Sequence, residues 1–153
     1  MNITNITNIY NLLEPTLKSG DRVLMKRIYR FHYVKRQDII TFYSREYKML
    51  MIKRAIGLPK DSVIIRNDGA LYINGEKLLE DYVHPLNCPS KIFYVPKHHF
   101  FLLGDNRVYS SDSRIWEQPF IDEKDILGKA VFLVYPFRRM RTVGSGYHVP
   151  SDG

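Results

Sequence analysis

The stretch with the densest potential chemistry covers residues 104–114, directly after the apolar run 100–103. It holds two Asp, one Asn, two Arg and three Ser. The apolar run predicts a buried strand, and so many polar and oppositely charged groups directly after it predict a fixed loop. Asp and Arg can form hydrogen-bonded ion pairs there, and a Ser hydroxyl can orient a neighbouring group. A polar surface turn is the alternative, and only partner segments elsewhere in the chain can decide between the two.

Lys53 is a second candidate, because it follows a mostly apolar run and precedes Ala-Ile-Gly-Leu-Pro at residues 55–59. Lysines are rarely fully buried. If this amine is desolvated, its pKa falls and the neutral form can act as a base. If Lys53 lies at a strand edge, its aliphatic chain carries the charge out to solvent instead. The local sequence leaves both alternatives open.

The composition limits the class of protein. A chain of 153 residues with 44% hydrophobic residues is long and apolar enough for one folded domain. Its net charge of +7 is compatible with nucleic acid, anionic lipid or an acidic protein as partner. Cys88 is the single cysteine, and the adjacent His98 and His99 would point to opposite faces of a strand. We therefore expect no disulfide within the chain, no metal site and no cofactor.

Short apolar or alternating segments separated by turn residues predict strands along most of the chain. The predicted strands are residues 22–26, 28–34, 38–43, 47–52, 63–66, 70–73, 100–103 and 128–136. Residues 67–69 and the pair Asn74 and Gly75 predict hairpin turns. No long amphipathic helix is predicted, so we expect an all-β fold.

The remaining segments have weaker patterns. Residues 1–11 could form a strand, a helical turn or the tail of a longer element. Residues 76–95 are polar and contain proline, which predicts a surface excursion, and residues 142–153 predict a flexible tail. The main domain is therefore expected to cover residues 12–141.

Basic residues alternate with aromatic residues near the start of the chain, and this pattern allows two interpretations. The basic residues are Lys26, Arg27, Arg30, Lys35 and Arg36. They could form a nucleic-acid-binding face on a β-barrel, or the solvated edge of a strand. The aromatic residues Tyr29, Phe31 and Tyr33 could lie against lipid or pack in the core.

Several motifs occur in the order found in type I signal peptidases, the bacterial membrane-bound serine proteases of family S26 that remove signal peptides. The chain resembles this family at residues 14–17, 20–23, 53–59, 68–75, 104–114 and 128–130. Residues 104–114 match the family pattern Gly-Asp-Asn-Arg-x-x-Ser-x-Asp-Ser-Arg, and the ordered set of matches makes the resemblance strong. The resemblance implies an antiparallel β-sheet or barrel that lies outside the cytoplasm.

The family uses a Ser–Lys dyad, in which a neutral lysine activates a serine nucleophile. The resemblance implies that Lys53 is the general base and that Ser110 orients its amine. It also implies that two ion pairs brace the loop. The expected pairs are Asp105 with Arg107 and Asp112 with Arg114.

The chain departs from the family pattern at the nucleophile, which belongs three residues before Pro15. That position is Leu12, and Leu13 stands where the family has Met. The spacing from Leu12 to Lys53 is that of the compact Gram-positive members, so no deletion hides a serine. Leucine has no lone pair and cannot attack a carbonyl carbon.

Three hypotheses for function follow. The first is a non-catalytic homologue that binds an extended segment of a secreted or pilin protein and assists surface protein or pilus assembly. The second is an active signal peptidase whose nucleophile has been replaced. The third, from another class, is the basic nucleic-acid binder, which the loop motif disfavours.

The resemblance also implies a cellular location. We expect the β-domain to lie against the membrane surface on the extracytoplasmic side. An N-terminal transmembrane helix is expected to anchor it, with residues 1–11 as the stub that follows this anchor.

Overall fold

The computed structural model describes residues 2–5, 13–29, 34–81 and 86–143, with the backbone alone for residues 2–5. Apart from single-turn 3-10 helices at Glu123–Asp125 and Phe137–Arg139, the regular structure in these ranges is β. The strands are β1 (Asn2–Asn5), β2 (Arg22–Arg27), β3 (Ile39–Ser44), β4 (Met49–Gly57), β5 (Ser62–Ile65), β6 (Leu71–Ile73), β7 (Glu76–Lys77), β8 (Lys91–Tyr94), β9 (His99–Leu103), β10 (Phe120–Asp122), β11 (Ile126–Tyr135) and β12 (Arg141–Thr142). The predicted all-β fold is confirmed.

The larger sheet has the strand order β1-β2-β11-β3-β4-β9-β10, with β12 paired to β11 outside this path. Its strand pairs are antiparallel. β11 joins the two halves of the sheet, because it pairs with β2 on one side and β3 on the other. Its register shifts at three points, which bends and twists the strand. β4 and β9 lie side by side in this sheet, and they carry Lys53 and the start of the polar loop.

The smaller sheet has the order β7-β6-β5-β8. The predicted hairpins are confirmed, since β5 pairs with β6 and β6 pairs with β7. Asn74 and Gly75 have φ values of 51° and 86°, as a two-residue hairpin turn with two positive φ angles requires. The segment 76–95, interpreted as a surface excursion, begins in β7 and ends in β8, which pairs with β5.

Within the described part of the chain, three apolar clusters fill the interior. One lies on the inner face of the smaller sheet and includes Val63, Phe101 and Val95. Another includes Leu13 and Leu17, which directly follow the expected nucleophile position and are both buried. This burial holds the first segment of the domain against the larger sheet.

The other predicted strands agree with the structure to different degrees. β2, β3, β9 and β11 lie where strands were predicted, with ends shifted by up to two residues. β4 runs from Met49 to Gly57 and so passes through Lys53 instead of ending before it. Of predicted strand 28–34, residues 30–33 lie outside the described residues, and the described part is not in a strand.

The predicted ends of the chain are described only in part. Within residues 1–11, Asn2–Asn5 form β1, and the others lie outside the described residues. Thr142 belongs to β12 and Val143 is buried, although the flexible tail was predicted to start at residue 142. Residues 144–153 lie outside the described part of the chain. Among the described residues, none belongs to a helix with the length and apolarity needed to cross a bilayer.

The close approach of the two sheets at Gly57 leads to a prediction. A Cβ at this position would lie 2.8 Å from Phe101 Cβ and 2.9 Å from methyl groups of Val63 and Val95. Gly57→Ala should therefore lower the free energy of unfolding by about 1–3 kcal/mol in urea denaturation, because the core is overpacked. Val95→Ala removes one of the clashing groups. The double variant should consequently lose less stability than the sum of the two single changes, and an additive result would contradict the packing argument.

Candidate active site

Lys53 lies in the middle of β4, opposite Ile40 of β3, and its side chain is fully buried. The Nζ atom donates a hydrogen bond of 2.9 Å to Ser110 Oγ. The strand-edge alternative, in which the amine reaches solvent, is therefore wrong. The strand and the polar loop bring together two residues that are 57 positions apart in the sequence.

Burial lowers the pKa of the Lys53 amine from an ordinary value of 10.5 to about 8. Desolvation of the charged form is the largest cause. The carboxylate of Asp112 raises this pKa and the guanidinium of Arg114 lowers it, so these two residues partly cancel. With a pKa of about 8, roughly a tenth of the amine is neutral at pH 7.

The loop of residues 104–114 is fixed by buried polar groups. Asp112 is fully buried and pairs with Arg114, whose Nε and Nη2 donate to Oδ1 at 2.8 Å and Oδ2 at 2.9 Å. Asp112 also accepts the amide of Gly104 at 3.1 Å. Ser113 returns the loop to β9, because its hydroxyl accepts the amide of Leu102 and its own amide donates to the Leu102 carbonyl. The expected Asp112–Arg114 pair is present, and the loop is not a solvated turn.

The expected pairing of Asp105 with Arg107 is wrong. Asp105 pairs with Arg54 instead, through Nε to Oδ1 at 2.8 Å and Nη2 to Oδ2 at 2.6 Å. Arg54 follows Lys53 on β4 and lies opposite Leu103, the last residue of β9. Its side chain points away from Lys53 and toward the first turn of the loop, where Asp105 lies.

Arg107 turns to the other side of the loop. Its Nε donates to the Gly104 carbonyl at 2.7 Å, and its guanidinium pairs with Glu80 in the segment between β7 and β8. Both side chains of this pair are almost fully buried. The smaller sheet is thereby tied to the loop that carries Ser110.

Thr16 connects the start of the domain to the same network. Its hydroxyl donates to Asp105 Oδ2 at 2.6 Å, and its carbonyl accepts from Arg141 at 2.6 Å. Arg139 binds both carboxylate oxygens of Asp21 close by. These contacts fix residues 13–21, which follow the expected nucleophile position. Leu12 itself lies outside the described residues.

Sequence reasoning missed several residues of this network. Arg54 had a signal, because it adjoins Lys53 in an otherwise apolar strand. No sequence signal marked Glu80, Arg139 or Arg141, since these residues lie in charged segments that resemble solvated surface. Among the described residues, no group of His, Cys, Asp and Glu side chains could hold a metal ion.

Residues 7–135 match the family model described as "Signal peptidase, peptidase S26". The chain belongs to the S26 signal peptidase family. A probable signal peptidase I-1 from Synechocystis sp. is 35% identical over 147 residues, covering 90% of this chain and 74% of that protein. Signal peptidase I U from Bacillus subtilis is 35% identical, covering 84% and 74%. A crystal structure of a signal peptidase I from Enterococcus faecalis is 32% identical with a TM-score of 0.52, covering 63% of this chain and 95% of that one.

The buried Arg54–Asp105 pair of this S26 domain leads to a prediction about stability. Arg54→Met should lower the free energy of unfolding by about 3–5 kcal/mol, because it leaves the Asp105 carboxylate buried without its counter-charge. Arg45→Met is the matched control. It removes an ion pair with Asp125 in which the arginine side chain is 67% exposed, so little change is expected. Equal effects of the two substitutions in urea denaturation would contradict the assignment.

The pKa of Lys53 predicts a pH-dependent stability. Below about pH 8 the folded S26 domain carries a desolvated charge, and this penalty disappears as the pH rises toward 10.5. Lys53→Met should raise the free energy of unfolding at pH 7 by on the order of 2 kcal/mol, allowing for the lost hydrogen bond to Ser110.

That gain should shrink as the pH rises above 8 and be lost before pH 10.5, because the missing hydrogen bond to Ser110 offsets the last part of it. Urea denaturation of both proteins across this range measures it. A gain that does not depend on pH would show that Lys53 is not desolvated.

Proposed function

We propose that this chain is a signal peptidase I-like domain that binds an extended segment of a secreted or pilin protein without cleaving it. The observation that carries the proposal is Leu12, which stands where the family resemblance expects the serine nucleophile. Pro15, Thr16 and Leu17 keep the family pattern after it, which supports this register.

The missing hydroxyl removes the central step of the family's reaction. In a Ser–Lys dyad the lysine accepts the serine proton as the serine oxygen attacks the peptide carbonyl. Lys53 is suited to be that base, since it is buried and has a pKa of about 8. Without a nucleophile, binding and oxyanion stabilisation leave only about 10³–10⁴ over water, which is negligible for peptide hydrolysis.

The framework around the site supports retained binding. The Arg54–Asp105 pair and the Thr16 hydroxyl link the first segment, β4 and the loop in one buried network. A rigid site of this kind can bind an extended peptide as an added strand, where backbone hydrogen bonds supply affinity and side-chain pockets supply selectivity. Assistance in surface protein or pilus assembly would require such binding and no cleavage.

The proposed place of action is the outer surface of the cell membrane, with an anchoring helix ahead of the β-domain. The net charge of +7 suits an anionic lipid surface. Tyr29 is highly exposed, which favours contact with lipid over core packing for this residue. Phe31 and Tyr33 lie outside the described residues.

The second candidate is an active signal peptidase whose nucleophile has been replaced at position 12. The 2.9 Å hydrogen bond between Lys53 and Ser110 favours it, because a protein that only binds gains nothing from a desolvated amine. The two candidates differ in the natural role of the chain. In both of them the dyad lacks the serine hydroxyl.

The Leu12→Ser variant tests both candidates. We expect it to cleave a signal-peptide substrate in detergent, while the parent chain and Leu12→Ala do not. The double variant Leu12→Ser, Lys53→Met should be inactive, because the new serine then has no base. Fluorescence anisotropy with the same peptide should show that the parent chain binds it.

Each other outcome has a definite meaning. Cleavage by the parent chain would show that Leu12 does not occupy the nucleophile position. Absence of cleavage by Leu12→Ser, with binding intact, would eliminate the second candidate. Absence of binding by the parent chain would overturn the proposed function.

A further inference from the structure

We propose that Ser110 and Lys53 form a second serine–lysine pair, in which Ser110 is itself the nucleophile toward small activated acyl and phosphonyl compounds. This inference goes beyond the proposed function, because it concerns small electrophiles and not the extended peptide. It assigns an acylation site to a serine that the family resemblance treats as an orienting residue.

The geometry is that of an activated nucleophile. Ser110 Oγ lies 2.9 Å from Lys53 Nζ, within the distance that proton transfer between a serine and its base requires. Among the described residues, Ser110 is the only hydrogen-bond partner of that amine. With leucine at position 12, the hydroxyl among the described residues that this base can deprotonate is that of Ser110.

The loop holds Ser110 in place. Its amide donates to the Asn106 carbonyl at 2.9 Å, and the Asp112–Arg114 pair fixes the turn that follows. The loop itself therefore holds the serine hydroxyl against the amine. Pre-organisation of this kind lowers the entropy cost of reaction.

Ser110 is close to the surface, although little of it is exposed. Its relative exposure is 6%, whereas Tyr109 beside it is 76% exposed. Lys53 behind it is completely buried. Lys53 is therefore the more deeply buried of the two groups, and in the proposed reaction a small molecule reaches the pair from the Ser110 side.

The proposed reaction is an ordinary acyl transfer. Ser110 Oγ attacks the carbonyl carbon of an activated ester while its proton passes to neutral Lys53 Nζ. The bond from carbon to the leaving group breaks, and the leaving oxygen takes the proton from Lys53. Water then hydrolyses the acyl-serine and releases the acid. A fluorophosphonate follows the first half of this scheme, with loss of fluoride, and leaves a stable adduct.

An alkyl fluorophosphonate is the probe for the test. Incubation with the parent chain, followed by peptide mapping with mass spectrometry, should locate one adduct on Ser110. The labelling rate should rise with pH and level off above about 8, because the neutral amine is the base. Ser110→Ala should abolish the adduct, and Lys53→Met should slow labelling at least tenfold.

Ser62→Ala is the matched control, since this serine lies in β5 of the smaller sheet and should not affect labelling. Thermal unfolding of each variant shows whether it is folded. Labelling of another residue, equal labelling of Ser110→Ala, or a flat pH profile of the parent chain would overturn the proposal. These outcomes leave the peptide-binding experiment untouched, so the two proposals fail separately.

Discussion

The buried pair of Arg54 and Asp105 is the interaction on which the rest of the site depends. Burial of a carboxylate lowers the stability of the fold unless donors hydrogen-bond to its oxygens. Asp105 has no exposed surface, and it accepts hydrogen bonds from two segments that are distant in sequence. Arg54 comes from β4 and Thr16 from the first segment of the domain. Because each donor satisfies the same carboxylate, displacement of any one segment leaves a buried charge partly unpaired. Three separate parts of the chain are thus held in a single arrangement.

Lys53, the residue before Arg54 on β4, is buried without a carboxylate as hydrogen-bond partner among the described contacts. By contrast, Arg54 is paired with the carboxylate of Asp105. Two adjacent basic residues on one strand therefore lie in different surroundings, since their side chains point to opposite faces. Arg54 stabilises the fold, whereas the burial of Lys53 costs stability and lowers the pKa of its amine to about 8. Sites with shifted pKa values commonly carry such a cost, and it is usually met by the surrounding structure.

The sequence was informative wherever a signal was local. Apolar runs and turn residues located most strands, and the Asn74–Gly75 turn was predicted because its φ angles demand those residues. The Asp112–Arg114 pair was implied by the family resemblance, and its two residues are only two positions apart. Lys53 remained ambiguous, because burial of a lysine depends on the loop that closes over it from 57 residues away. The family resemblance implied that Asp105 pairs with Arg107, whereas its partner is Arg54 on β4, the neighbouring strand of the sheet. Such cross-strand contacts follow from register, which no single segment encodes.

The contact between Glu80 and Arg107 has a consequence for how the two sheets can vary. The smaller sheet packs on the larger one mostly through apolar side chains, and apolar contacts tolerate exchange if volume is conserved. The carboxylate of Glu80 is different, because it neutralises a guanidinium that belongs to the loop. A smaller sheet transplanted from a relative would therefore need an acidic group at this place, whatever its other residues. The smaller sheet can therefore be exchanged between relatives only if this one negative charge is kept.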